Sequence, residues 1–250
     1  VLWSNLYGVE QNDQGTDELR VENTLIGAFG AARYGYYARS GRLVSDYNHV
    51  QLANEAMPAI VALSSSIGAG TGRYEAVSSW VTASGLDKHS QVGEAHVAST
   101  ADFHPQSPVG RFVVGSGYST NLADEISPLL DAGNPASTFS SEPWPNGNRI
   151  NIGMFGTSTQ ASLSPTNSRL TVVSLDDGGN AWGTIALNWN AGGDATGHMV
   201  RIEYSGNGGL SWSVLASNLT AAAGTYDWNS LPYGSSPGGL WRVISEDDAT

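Results

Sequence analysis

Cysteine is absent from this chain of 250 residues. Disulfides, thiolate metal sites and a cysteine nucleophile are excluded with it, while the redox compartment stays open. Lysine is almost absent as well, Lys88 being the only one. Eleven basic residues face 23 acidic ones, for a net charge of −12. Such a chain has no basic surface for a phosphate backbone, which argues against nucleic acid as a partner, and an anionic membrane surface would repel it. No apolar run approaches the roughly 18 residues that a membrane-spanning helix requires. No glycine-rich loop joins a strand to a helix, so phosphate cofactors are unsupported; residues 68–72 read instead as a flexible loop.

What is present points to turns and short strands. Glycine is abundant at 31 residues, and Gly and Asn close tight corners because both tolerate positive φ. A hydrophobic content of 40% is enough to bury a core. The chain starts at Val1 in a strand-like segment without initiator Met or leader, and is read as a mature or truncated piece of a longer protein.

Residues 1–100 carry short apolar runs separated by polar corners, with Asn5, Asn23 and Asn48 beside them. Short tracts without long alternation suit coils that bury their inward side chains against neighbouring coils. Residues 74–90 predict one short helix around Trp80 that stops at Gly85. Two turns follow. In Asp131-Ala132-Gly133-Asn134-Pro135 the Asp and Asn bond back to the backbone, Gly133 supplies positive φ, and Pro135 stiffens the exit. Asn146 and Gly147 make the second, with Arg149 available to a carboxylate such as Asp131 or Glu142.

These segments carry a resemblance. Ser45-Asp46-Tyr47-Asn48, the Trp80 segment, Gly85-Leu86-Asp87-Lys88-His89-Ser90, the strand at Phe103-His104, residues 127–135 and residues 145–153 together resemble the last coils of bacterial extracellular right-handed parallel β-helix proteins of the pectate-lyase-like superfamily. The resemblance covers about residues 45–165 and implies β-helix coils and a C-terminal cap over 1–165. Pro105 departs from it, since the family has an apolar residue there.

From Ser168 onward the texture changes to alternation: Ile185, Leu187 and Trp189 share one face, then Val200, Ile202 and Tyr204, then Trp212, Val214 and Ala216. The stretch from Val200 to Trp228 resembles immunoglobulin/fibronectin-like modules of extracellular bacterial proteins. The expectation is an all-β chain: a right-handed parallel β-helix end over 1–165, followed by an immunoglobulin-like β-sandwich over 166–250 with a core of Trp189, Trp212, Trp228 and Trp241.

Chemistry is harder to find. Asp46, Asp102, Asp124, Asp131 and Asp177 form no paired-acid motif. A lyase would want Lys or Arg beside acids on a flat sheet, and Arg33 and Arg39 are only two of several choices. The histidines at 49, 89, 96, 104 and 198 lack zinc spacing. No cofactor is called for; Ca²⁺ is the one metal left open, at the acidic turn over residues 12–18, which lacks EF-hand spacing. Tyr34, Tyr36 and Tyr37 could form an exposed ledge for glycan. The expected role is a non-catalytic structural or adhesive scaffold, extracellular or at the bacterial cell surface, whose partners are polysaccharide or copies of itself. The alternative is a polysaccharide lyase, glycoside hydrolase or glycan-binding accessory region whose active coils lie outside this stretch.

Overall fold

The computed structural model describes residues 1–4, 7–11, 18–28, 34–38, 42–52, 59–63, 72–74, 77–120, 125–165, 169–176 and 178–247. The chain divides into two compact units, one of Val1–Trp144 with Ile150–Ser164, the other of Pro145–Arg149 with Pro165–Thr250.

The first unit opens with ten short strands and one helix: β1 Leu2–Ser4, β2 Tyr7–Gln11, β3 Glu18–Glu22, β4 Leu25–Ala28, β5 Tyr34–Ala38, β6 Arg42–Asp46, β7 His49–Leu52, β8 Ala59–Leu63, β9 Gly72–Tyr74, α1 Val77–Ser84 and β10 Gln91–Val92. Strands β1-β4-β7-β10 pair in parallel, as do β2-β5-β8 and β3-β6, while β9 joins β8 antiparallel. In-register pairing stacks like on like: Ile26 beside Val50, Leu19 beside Leu43, Val9 beside Tyr36. With Trp80 of α1 they make one buried cluster, Leu19 packing partly buried against it. Between β3 and β4 the corner is turned by Asn23 at φ 52°, and between β6 and β7 by Tyr47 at φ 53°. Helix α1 ends where its glycine allows: Gly85 takes φ 72° and its N–H closes on the Val81 carbonyl at 2.8 Å.

Two hairpins follow, β11 Val97–Ser99 with β12 Asp102–Pro105, and β13 Arg111–Val113 with β14 Gly117–Ser119. Residues 125–164 then run as turns with no strand, held by side-chain bonds to backbone such as Ser107 to Leu163 O and Ser127 to Ala95 O. In the turn over residues 131–135 the residue at positive φ is Asp131 (51°), not Gly133. Gly133 is required for a different reason. A Cβ there would lie 2.6 Å from Ile150 Cγ2 and 2.7 Å from Asn23 Oδ1, because the 131–137 loop docks on the Asn23 corner. Asn23 Oδ1 accepts the Asn134 N–H at 2.6 Å, and the Gly133 N–H donates to Ile150 O. Gly133→Ala is expected to cost about 1–3 kcal/mol through overpacking alone, read as a lowered urea midpoint with unchanged slope.

The second unit has two antiparallel three-stranded sheets, from β15 Arg169–Val172, β16 Thr184–Gly192, β17 Met199–Ser205, β18 Ser213–Thr220, β19 Thr225–Asn229 and β20 Leu240–Ser245. One is ordered β15-β16-β19, the other β18-β17-β20. Leu187, Trp189, Val200, Ile202 and Trp228 form its buried cluster. Asn148 belongs here because its side-chain amide donates to the Ala191 carbonyl.

The expected all-β class is therefore corrected to a mixed fold, with one α-helix and several open sheets among the described residues. In the first unit α1 buries Trp80 completely and so belongs to the core. Among the described residues the parallel sheets are separate and open, with two to four strands each and one antiparallel strand at an edge, and no parallel β-helix solenoid is evident. In the second unit the two open three-stranded sheets do not present the immunoglobulin-like sandwich topology expected over 166–250. Short alternating tracts announce strands, but their partners and the closure of a sheet depend on contacts between distant segments.

Candidate functional site

The densest polar constellation of the first unit is centred on Asp87, just past α1. Asp87 is 1% exposed and takes φ 52°. The Trp80 indole N–H donates to its Oδ2 at 2.8 Å, and the hydroxyls of Ser90 (2.6 Å) and Ser45 (2.8 Å) donate to Oδ1. The Tyr36 hydroxyl lies 3.2 Å from the same Oδ1. Burial, with the Asp87 charge beside it, holds the Tyr36 phenol well above its ordinary pKa. Asn48, fully buried, extends the network by accepting the Thr24 N–H and donating to Val21 O. One side chain thereby satisfies donors from β6, α1 and the turn after it.

Beside this centre, His89 Nδ1 lies 2.8 Å from Asp46 Oδ2, and its ring stacks on Tyr47 with centroids 4.6 Å apart. Burial works to raise the Asp46 carboxyl, but bonds from the His89 ring and N–H and from the Tyr47 N–H outweigh it and hold it below the usual range. A second pair lies on β12, where His104 Nδ1 approaches Asp102 Oδ1 at 2.5 Å and Arg111 donates to Oδ2 at 2.9 Å. Desolvation opposes, but His104 and Arg111 together pull the Asp102 carboxyl down. A carboxylate-oriented imidazole is the arrangement of a general base. Here the other ring nitrogen, Nε2, is buried, and the ring is stacked on Phe155 at 3.5 Å. The nitrogen that would move a proton has no open approach.

Glu142, 5% exposed, ties the turn region together: its Oε1 accepts the N–H groups of Asn151 and Thr157, each at 3.0 Å. Burial, with the nearby Asp131 carboxyl, pushes its pKa up to about 7 despite those bonds. A raised carboxyl pKa favours the protonated folded state, so its contribution is complete below pH 4.5 and is lost as pH rises to 7. The parent is expected to lose up to about 3 kcal/mol between pH 5 and pH 8 relative to Glu142→Gln, which should show a flatter profile of Tm against pH.

The residues singled out from the sequence do not converge. Tyr34, Tyr36 and Tyr37 share β5, with Tyr34 half-buried, but Tyr36 is 1% exposed and bonded to the Asp87 centre, so it leaves the supposed glycan ledge. The side chain of Tyr37 lies outside the described residues. Asp131 and Pro135 are buried, and Asp131 accepts the Ser164 hydroxyl at 2.6 Å. Asn146 and Gly147 are buried in the second unit, where Arg149 is half-buried. Trp189 and Trp228 are core, and Trp241 packs against that core and donates to Ser174 O. Trp212 is half-buried, with the Arg242 guanidinium over its ring, and is not among the side chains of that cluster. A register shift in β18 turns Leu215 and Leu219 toward the cluster and leaves Val214 56% exposed. Asn5, Arg33, Arg39, Asp124, Asp177 and the acidic turn over 12–17 lie outside the described residues.

Sequence reading missed Trp80–Asp87 as the organising contact and Arg111 as the partner of Asp102. Among the described residues the most exposed rings are Trp182 and Trp144, with Tyr118 and Tyr233 also exposed, and the Gly-rich setting of Trp182 was the available signal. Among the described residues no group of three or more His, Asp or Glu side chains could hold a metal ion, and no helix is long and apolar enough to cross a membrane. No family model, curated protein or solved structure matches the chain.

Proposed function

We propose that this chain is a non-catalytic structural or adhesive scaffold, working outside the cell or at the bacterial cell surface. The observation that carries the reading is the Asp87 centre. The carboxyl with the most donors around it is closed to solvent and spends its oxygens joining α1 to β6 and the following turn. Elsewhere too, groups able to do chemistry are committed to holding segments: Asp102 joins β12 to β13, and Glu142 joins three points of the turn region. An enzyme of polysaccharides would instead keep carboxyls apart across an open cleft. The strongly acidic surface, with a single lysine, suits a solvated protein that resists nonspecific adhesion to polyanions.

Incubating the purified chain with acidic and neutral polysaccharides, and following new reducing ends and unsaturated-product absorbance, tests the proposal. The expected result is no turnover above a heat-denatured control. Turnover that survives further purification would replace the scaffold with a carbohydrate-active enzyme.

A further inference from the structure

Asn218-Leu219-Thr220 is the one place in the sequence where an asparagine is followed by a residue other than proline and then by Ser or Thr. That is the acceptor motif for N-linked glycan, in which the side-chain amide takes the sugar and the hydroxyl two residues on is read by the transferase. The motif lies in the second unit on β18, an edge strand of the β18-β17-β20 sheet. Ladder pairs join Ile202 to Ala216 and Val200 to Leu219, so Ser217 and Asn218 together stand opposite Arg201 as a bulge. Asn218 takes φ 55°, and its N–H leaves the ladder to donate to Glu246 Oε2 at 2.8 Å. Asn218 and Thr220 are both exposed. The Asn218 amide makes a single long bond, 3.4 Å to the adjacent Ser217 hydroxyl, and the Thr220 side chain caps nothing in the turn that it precedes. Other asparagine amides are spent on the fold: Asn48 donates to Val21 O, Asn134 to Glu22, Asn151 to Ser162 O and Asn207 to Ser211.

A bulge residue at positive φ favours Asn, which accounts for Asn218 by itself but not for the uncommitted hydroxyl at 220. The edge supplies a second reason. Ser213–Thr220 carries no charged residue and no proline, the side chains that ordinarily keep an edge strand from pairing with another chain. A hydrated glycan on the bulge would do that work. We propose that Asn218 is an acceptor for N-linked glycosylation, taking its sugar from a donor activated as a glycosyl diphosphate. Asn218 Nδ2 forms a bond to the anomeric carbon as the anomeric bond to the diphosphate oxygen breaks. The diphosphate leaves on its carrier, a nucleoside or a polyprenol, and the amide gives one proton to a base of the transferase. Nothing is oxidised or reduced. The site goes beyond the scaffold reading and does not depend on it.

The folded full chain is incubated in two arms to test this. One holds UDP-glucose and a soluble N-glycosyltransferase, the other a polyprenyl-diphosphate oligosaccharide and a membrane-bound transferase, and each runs beside a peptide that its transferase already modifies. Intact mass and peptide mapping read the product. The expected result is one glycan per chain, on Asn218, and the productive arm identifies the carrier. Asn218→Gln and Thr220→Ala should each lose it, whereas Thr220→Ser should keep it, with circular dichroism showing all three variants folded. No addition in either arm while the peptides are modified, addition that survives Asn218→Gln, or addition only to the chain unfolded in urea would each overturn the proposal. None of these outcomes bears on polysaccharide turnover, so the scaffold reading stands or falls separately.

Discussion

Asp87→Ala is expected to lower the unfolding free energy of the first unit by about 3–5 kcal/mol, the scale found when one member of a buried polar set is removed. The side chain is 1% exposed, so water does not replace it freely. Its loss strands the Trp80 indole N–H and the hydroxyls of Ser45 and Ser90, each worth about 1–3 kcal/mol as a buried unsatisfied group. Trp80 itself is fully buried in the cluster between the sheets, so loosening its one polar anchor loosens α1. Against a typical total of about 5–15 kcal/mol this approaches unfolding at ambient temperature. Thermal denaturation followed by circular dichroism, with Trp fluorescence reporting on Trp80, measures it. Tyr36→Phe should cost only about 1 kcal/mol, since it removes one member of a satisfied set. Equal, small losses for both variants would mean that the network is ornamental to stability.

Trp189→Ala should be comparably severe in the second unit, at about 3–5 kcal/mol, whereas Trp212→Ala should stay below about 1 kcal/mol. Trp189 is 2% exposed, fills the cluster between the two sheets, and donates to Ala221 O at 2.8 Å. Trp212 is half-buried, lies outside the cluster and has Arg242 over its ring, so its removal loses a contact near the surface and opens no cavity in the core. Urea denaturation of each variant, with proteolysis to report which unit opens, separates the two. A large loss at Trp212 would place that ring in the core after all.

The contrast between these two residues shows where sequence reading reached its limit. Both stand on an alternating strand pattern, and alternation by itself assigns both to one buried face. The register shifts between Val200, Ile202 and Glu203 of β17 and their β18 partners change the face that β18 presents, so Leu215 packs inward and Val214 does not. A bulge of this kind depends on the partner strand and leaves no periodic signal of its own. At the candidate site the same holds. Asp46 and Asp102 were visible as acids and His104 stands two residues from Asp102 on one strand, but His89 and Arg111 become partners only through turns and pairings. Gly133 was recognised as a glycine the turn needs, though the reason lies in Asn23, more than a hundred residues earlier in the chain.

By itself the sequence determined that this protein is acidic and cysteine-free, that its strands are short, and that a helix around Trp80 ends at Gly85. Those are local or compositional properties, set by backbone sterics, side-chain polarity and the period of hydrophobic residues. Only the tertiary structure decided that the sheets stay open beside a buried helix, that Asp87 becomes a closed centre, that Tyr36 faces inward, and that Arg201, Glu203 and Arg242 meet on one face. Each of those depends on which distant segments pair and in what register. Register in turn is chosen by the sum of many contacts across the chain, none of which any single stretch of sequence contains.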